Sequence, residues 1–252
     1  MFEPTLPAGA PDLIRASAFR RYLDELSRDQ LDGDTVSGRL SSLSPSLMQD
    51  LMRFEDARRP GEGLEVLEVL AAGVRHGRNL LIHLQDQDRV VPLTIFPHER
   101  VAHCPMNMPQ FLQGQLTELQ VLFVEPAVLR PPGHNDRALV GDAECYAPLG
   151  PLLWELALRG AREELLPEIG GLAAYRIAPG LDTTGLNLSG TLAAAVFRLK
   201  RSTTNLREIA EWPGFDRARA MRLLNALYLQ AGLMVSRTHP AAMTDGWLKV
   251  TR

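Results

Sequence analysis

The sequence predicts an α+β protein: a helix plus an antiparallel β-meander, then a helical segment, then a C-terminal winged helix. Three observations carry this. Apolar residues recur at helical spacing over 63–76 and switch to strand alternation just after it. From residue 190 onward the pattern runs helix, helix, turn, helix, then two short strands, which is the order of a winged helix-turn-helix. That same segment holds ten Lys/Arg against four Asp/Glu, a net +6, leaving −9 on the rest of a chain whose total is −3. The expected divisions are an N-terminal helical segment (1–62), an α+β domain (63–130), a helical connector (131–189) and the winged helix (190–252).

Taken in order, residues 1–10 read as a loose tail with two prolines and a glycine. Leu13, Ala16, Phe19 and Leu23 make one apolar stripe, so 12–24 is expected to be helical. A Gly/Ser/Asp-rich loop over 31–46 precedes a second helix at 46–54, with Leu47, Leu51 and Phe54 on one face; 57–63 breaks it. The clearest helix is 63–76, with Leu64, Leu67, Leu70, Ala71 and Val74 on its inner stripe. Arg75 and His76 lie in its last turn, where cations suit the helix dipole, and Gly77 is placed to end it.

The period then changes to two. Strands are expected at 79–85 and 89–96 around an Asp86-Gln87-Asp88 turn, with a third at 101–104. Pro92 has no amide hydrogen to give a ladder, so its strand is expected at a sheet edge or with a bulge. A short helix at 109–115 and a strand at 119–126 complete the block. Residues 130–136 form a hinge-like break. A helix follows at 147–159, with Trp154 as a core residue, and helical character continues over 162–171. Residues 175–190 read as a long connection.

In the C-terminal segment, 191–200 is a helix with Ala195, Val196 and Leu199 inward. Asn205 caps a short helix over 206–212, and Pro213-Gly214 turns the chain. Asp216 caps a long helix over 217–231, closed by Gly232. Strands at 233–237 and 247–250 then form the wing hairpin. On the long helix, Leu224 centres a buried face of Ala220, Met221, Leu227, Tyr228 and Ala231. The opposite face presents Arg219, Arg222 and Ala226, flanked by Asn225, Leu223 and Leu229. The residues expected to touch a nucleic acid or a protein partner are Arg217, Arg219, Arg222 and Asn225 on this helix, with Arg237 and His239 at the wing. Leu223 and Leu229 suit packing on the protein's own body or on a partner better than a DNA groove.

Composition narrows the function classes. A 252-residue chain that is 45% hydrophobic and 23% charged can bury a core and is neither disordered nor fibrous. No apolar stretch approaches the ~18 residues that span a bilayer, and the N-terminus lacks a basic region followed by an apolar run. Cys104 and Cys145 form no Cys-x-x-Cys pair, so they are expected as free buried thiols of a cytoplasmic protein. His83, His98, His103 and Cys104 lie near one another in sequence, but strand alternation separates them, so no metal site is expected. Asp86 and Asp88 are turn residues rather than an acid/base pair. There is no Gly-x-Ser-x-Gly elbow, Walker A motif or G-x-G-x-x-G loop. The expectation is a protein without cofactor or catalytic site.

The stretch from Pro92 to Pro105, with Ile95-Phe96 before a turn and Val101-Ala102-His103-Cys104 after it, resembles the heart of the bacterial PATAN domain. Phe123, Glu125 and Pro126 resemble the close of that family's later strand. The resemblance covers roughly 63–126, and such proteins often carry a winged-helix-like unit after the domain. It implies a non-enzymatic signalling or regulatory adaptor that works through protein–protein interaction, with a response regulator or small GTPase as partner. A DNA-binding transcriptional regulator using the winged helix is the alternative.

Overall fold

A computed structural model describes residues 13–31, 43–56 and 64–243. The tail at 1–10, the break at 57–63, most of the loop at 31–46 and the expected return strand at 247–250 lie outside them. The fold is α+β, with nine α-helices and two antiparallel sheets among the described residues. The chain divides into two compact units between Leu149 and Gly150.

The first unit holds α1 (Ala16–Leu31), α2 (Pro45–Asp56) and α3 (Val66–His76), then β1 (Leu80–Asp86), β2 (Arg89–Phe96) and β3 (Val101–His103). Next come α4 (Met108–Gln113), β4 (Gln120–Pro126) and β5 (Tyr146–Pro148). The strands form one sheet in the order β4-β1-β2-β3-β5. Both the meander and the helix before it stand where the change of period predicts them. Helix α3 starts at Val66 because the Glu65 carboxylate accepts the Leu67 and Glu68 amides at 2.9 and 3.2 Å. It ends on Gly77, which takes the left-handed conformation (φ 58°) that a C-terminal closing residue needs.

One face of the sheet carries the cross-strand pairs Leu80–Ile95, Ile82–Leu93 and Leu84–Val91, all fully buried. Helix α3 lies on this face so closely that a Cβ on Gly73 would come within 2.7 Å of Ile95 Cδ1. Against the other face lies α1, where Phe19 stacks on His83 with ring centroids 4.7 Å apart. The Arg20 guanidinium donates to Gln85 Oε1 at 2.7 Å on that side.

Strand β2 is not the edge that Pro92 suggested, because it has β1 and β3 as neighbours. Strand β3 reaches only Thr94 to Phe96, however. Beside Pro92 only β1 is paired, and the single bulge in this part of the sheet falls on the β1–β4 side. Two residues earlier, the Val90 amide donates away from β1, to the Ile14 carbonyl. By strand alternation the missing amide hydrogen of Pro92 falls on the same outer side, where no ladder needs it.

The second unit opens with α5 (Leu149–Arg159), followed by β6 (Ala174–Ile177), α6 (Gly190–Arg201), β7 (Thr204–Asn205) and α7 (Leu206–Ala210). Helix α8 (Arg217–Leu229), β8 (Leu233–Ser236) and α9 (Pro240–Met243) complete it. Trp154 of α5 is fully buried, as expected of a core residue. Residues 150–189 therefore share one body with 190–252 rather than forming a separate connector.

Three expectations are corrected here. Residues 162–171 are irregular with one turn at 167–169, not helix. Pro167 disfavours helical backbone at Leu166 and has no amide hydrogen of its own, while backbone groups of 162–166 are bonded by side chains of α8. The long connection contains β6, the middle strand of a sheet ordered β7-β6-β8. Strand β8 pairs along Ala174–Ile177, and 240–243, expected in the hairpin loop, is helix. The residue that closes α8 in the left-handed conformation is Ala231 (φ 55°), not Gly232. A side chain at 232 would collide with Leu181, 2.5 Å away, so the glycine is there for close packing.

Candidate functional site

Each predicted contact residue has a definite place in the second unit. Asn225 is fully buried: its Oδ1 accepts the Leu166 amide at 2.9 Å and its Nδ2 donates to the Glu164 carbonyl at 2.8 Å. Arg222 donates from Nε to the Arg162 carbonyl at 3.2 Å and pairs with Glu163 at 3.2 Å. Arg237 donates to the Gly170 carbonyl at 2.7 Å and to the Glu168 carbonyl at 3.3 Å. The His239 ring is half-buried, and its Nδ1 accepts the Ala241 amide at 3.1 Å in the turn that opens α9. Leu223, Ala226 and Leu229 are buried too, so α8 is enclosed on nearly every side. The structure does not bring the six residues together. Arg222, Asn225 and Arg237 hold the 162–170 segment, Arg237 from an exposed position, while Arg217 and Arg219 open an outward surface at the start of α8.

That surface is built by a tight turn. The Phe215 amide donates to the Trp212 carbonyl at 2.9 Å, with Pro213 and Gly214 (φ 76°) between them. Proline sets the first central position of such a turn, and the second requires positive φ. A Cβ on Gly214 would also meet Thr191 Cγ2 at 2.8 Å. The turn brings residues 212 and 215 side by side, and their rings meet edge-on with centroids 6.3 Å apart.

Arginines cover these rings. The Arg198 guanidinium lies 4.8 Å from the centre of Trp212, and that of Arg219 lies 5.2 Å from Phe215. One turn away on α6, Arg201 lies 4.5 Å from Phe197, a ring that is 56% exposed. All three distances fall within the ~6 Å reach of a cation–π contact. Arg219 is further fixed by a 2.8 Å bond to the Gly214 carbonyl. The neighbouring acids are occupied: Asp216 accepts the Arg219 amide at 2.7 Å as helix cap, Glu208 bonds Thr204, and Glu211 pairs with Arg207. The surface is thus rigid, aromatic and positive. Arg and Trp in a half-buried setting are the residues that dominate binding energy at protein interfaces.

Sequence reasoning missed Phe197, Arg198, Arg201, Trp212 and Phe215. Two signals pointed to them. Phe197 lies off the inward stripe of Ala195, Val196 and Leu199, and two aromatic residues flank a Pro-Gly turn.

In the first unit the candidate metal ligands are dispersed. His83 Nε2 bonds Glu125 Oε1 at 2.9 Å. His103 lies edge-on to Tyr146 at 4.9 Å, and burial pushes its pKa down against the opposing charge of Asp142. His98 is exposed against Gly77. No three His, Cys, Asp or Glu side chains among the described residues are grouped to hold a metal ion. No helix among them is long and apolar enough to cross a membrane. Comparison with protein-family models, curated proteins and solved structures finds no match to this chain.

Proposed function

We propose that this protein is a non-enzymatic, cytoplasmic regulatory adaptor of bacterial signalling that docks an acidic protein through the Arg–aromatic surface of its second unit. The observation that carries the reading is the run Arg198–Trp212–Phe215–Arg219 with Arg201 over Phe197 beside it. Its net positive charge suits an acidic partner, and its rings are already held in place, so little side-chain entropy is lost on binding. The PATAN resemblance supplies the partner class, a response regulator or small GTPase. The helix-then-meander order seen in the first unit is compatible with that resemblance.

DNA binding is the second reading, and the +6 charge of residues 190–252 favours it. Against it stand Arg222, Asn225 and Arg237, whose polar atoms are engaged by backbone and side chains of 162–170. A base-reading helix needs such groups free at its surface.

The test is titration of the full chain with purified receiver domains and small GTPases, run beside a DNA duplex at low salt. At least one acidic protein should bind, and Trp212→Ala or Arg198→Glu should weaken it about tenfold or more, the loss expected at a central interface residue. Binding that ignores both substitutions would sink the proposal. So would salt-dependent duplex binding that weakens in Arg219→Ala.

A further inference from the structure

We propose that Cys104 and Cys145, in the first unit, are a modification site: a backbone-bonded pair at the end of β3 and the start of β5 that hydrogen peroxide joins into an intramolecular disulfide. The placement comes from the sheet. Strands β3 and β5 run antiparallel, pairing Val101 with Pro148, Ala102 with Ala147 and His103 with Tyr146. One further step of the same register sets residue 104 opposite residue 145. The Cys104 amide donates to the Cys145 carbonyl at 2.9 Å, so one ladder bond continues there, while the Cys145 amide turns to the Asp142 carbonyl at the end of the short 3-10 helix Ala143–Cys145. A hydrogen-bonded antiparallel pair holds its Cα atoms about 5.5 Å apart. That lies within the ~4.4–6.8 Å window that a disulfide accepts, and the turn at Cys145 leaves its end of the pair free to close the remaining Cβ separation. Both thiols are free, Cys104 wholly buried and Cys145 half-buried.

The surroundings set the order of events. Burial pushes the Cys104 thiol up to about 11, and the Cys145 thiol adds a little to that rise. Burial, then the charges of Asp142 and Glu144, push Cys145 up as well. Both are therefore thiols at neutral pH, and Cys145 is the one a peroxide reaches. Its thiolate attacks one peroxide oxygen, the O–O bond breaks and hydroxide leaves, giving a sulfenic acid. The Cys104 thiolate then attacks that sulfur, the S–O bond breaks, a second hydroxide leaves and the S–S bond forms. Two electrons pass from the sulfurs to the peroxide, and the two thiol protons end in two molecules of water.

The bond would fasten a three-residue edge strand, β5, to the sheet at the last strand before the chain leaves the first unit. Three β3–β5 residue pairs, flanked by the Cys104–Cys145 and Leu149–Arg100 backbone bonds, join β5 to the sheet, so a covalent link there changes how readily that edge opens.

The full chain is treated with hydrogen peroxide, quenched with a maleimide and measured by intact mass and peptide mapping. The mass should fall by about 2 Da, neither cysteine should take label, and one linked peptide pair should contain Cys104 and Cys145. Dithiothreitol should restore both labels, and the rate should climb between about pH 7 and 9 as thiolate forms. Cys145→Ser should abolish the linked species. Cys104→Ala should do the same, and if that variant does not fold, the map of the unaltered chain and Cys145→Ser still decide. A gain of about 16 or 32 Da without the link, a bridge between two chains, or two thiols that remain alkylatable would each overturn the assignment.

Discussion

The two sides of helix α8 carry the same kinds of residue and do different things with them. At its start, Arg219 turns back on its own turn and lies over Phe215, leaving a charged, aromatic surface facing out. One and two turns on, Arg222 and Asn225 point to carbonyls and an amide of 162–166. The difference is made by the neighbour. Residues 162–171 are not helical, so most of their backbone groups lack the partners a helix would give them. A helix packed against such a segment must bring polar side chains to it, and these cannot also face a ligand. A cationic helix in a basic segment is therefore no guide to nucleic-acid binding until the backbone it packs against is known.

The largest effect should follow from breaking the inward side. Asn225→Leu keeps the branched shape but strands the Leu166 amide and takes one of two donors from the Glu164 carbonyl, which Arg162 Nε still bonds at 2.9 Å. An unsatisfied buried group costs about 1–3 kcal/mol, so a loss of that order is expected in denaturant unfolding. A loss under about 0.5 kcal/mol would mean that the 162–166 segment finds other partners, and the inward–outward contrast would fail at its strongest point.

A middle-sized effect separates the two arginines. Arg222→Ala should lower stability by about 0.5–1.5 kcal/mol, since it removes a bond to a carbonyl and a partly exposed ion pair. It should leave partner affinity unchanged. Arg219→Ala should cost less than about 1 kcal/mol of stability, the worth of an exposed cation–π contact, yet weaken partner binding severalfold. Unfolding curves and titrations of the two variants, run together, check the contrast. If the two exchange roles, the outward surface has been placed on the wrong side of the helix.

Local structure in this chain was legible where one element's own pattern decides it. The stripe of Leu67, Leu70 and Ala71, the alternation around Ile82 and Leu93, and the caps at Asn205 and Asp216 needed no distant partner to be read. Strand β6 was not legible. Ala-Tyr-Arg-Ile is four residues long and lies between Gly171 and Pro179; only its ladders to residues 204–205 and 233–236 make it a strand. The non-helical run at 162–171 was missed for a related reason. Its composition suits a helix, and what holds it open are side chains some sixty positions away on α8. The candidate surface was half legible. Charge pointed to the right segment, but a helical wheel cannot show that Trp212 and Phe215 meet across a turn and draw Arg198 from another helix.

The smallest expected effect touches neither side of α8 and so tests whether the two can be separated at all. The helix ends with the Gly232 amide donating to the Leu227 carbonyl and the Ala231 amide to the Tyr228 carbonyl, the paired closing bonds of a Schellman motif. Such an ending places its last residue in the left-handed region, and here that residue is alanine, exposed and at φ 55°. Its Cβ crowds its own backbone there, at a cost of about 1–2 kcal/mol that glycine does not bear. Glycine in turn loses more backbone freedom on folding, by about 0.4–1 kcal/mol. The balance favours Ala231→Gly by about 0.5–1 kcal/mol, read as a higher denaturation midpoint with unchanged slope. Partner affinity should not move. If it rises along with stability, the Arg–aromatic surface depends on how firmly α8 is folded as a whole, and the loss in Arg219→Ala must be read after that dependence is subtracted.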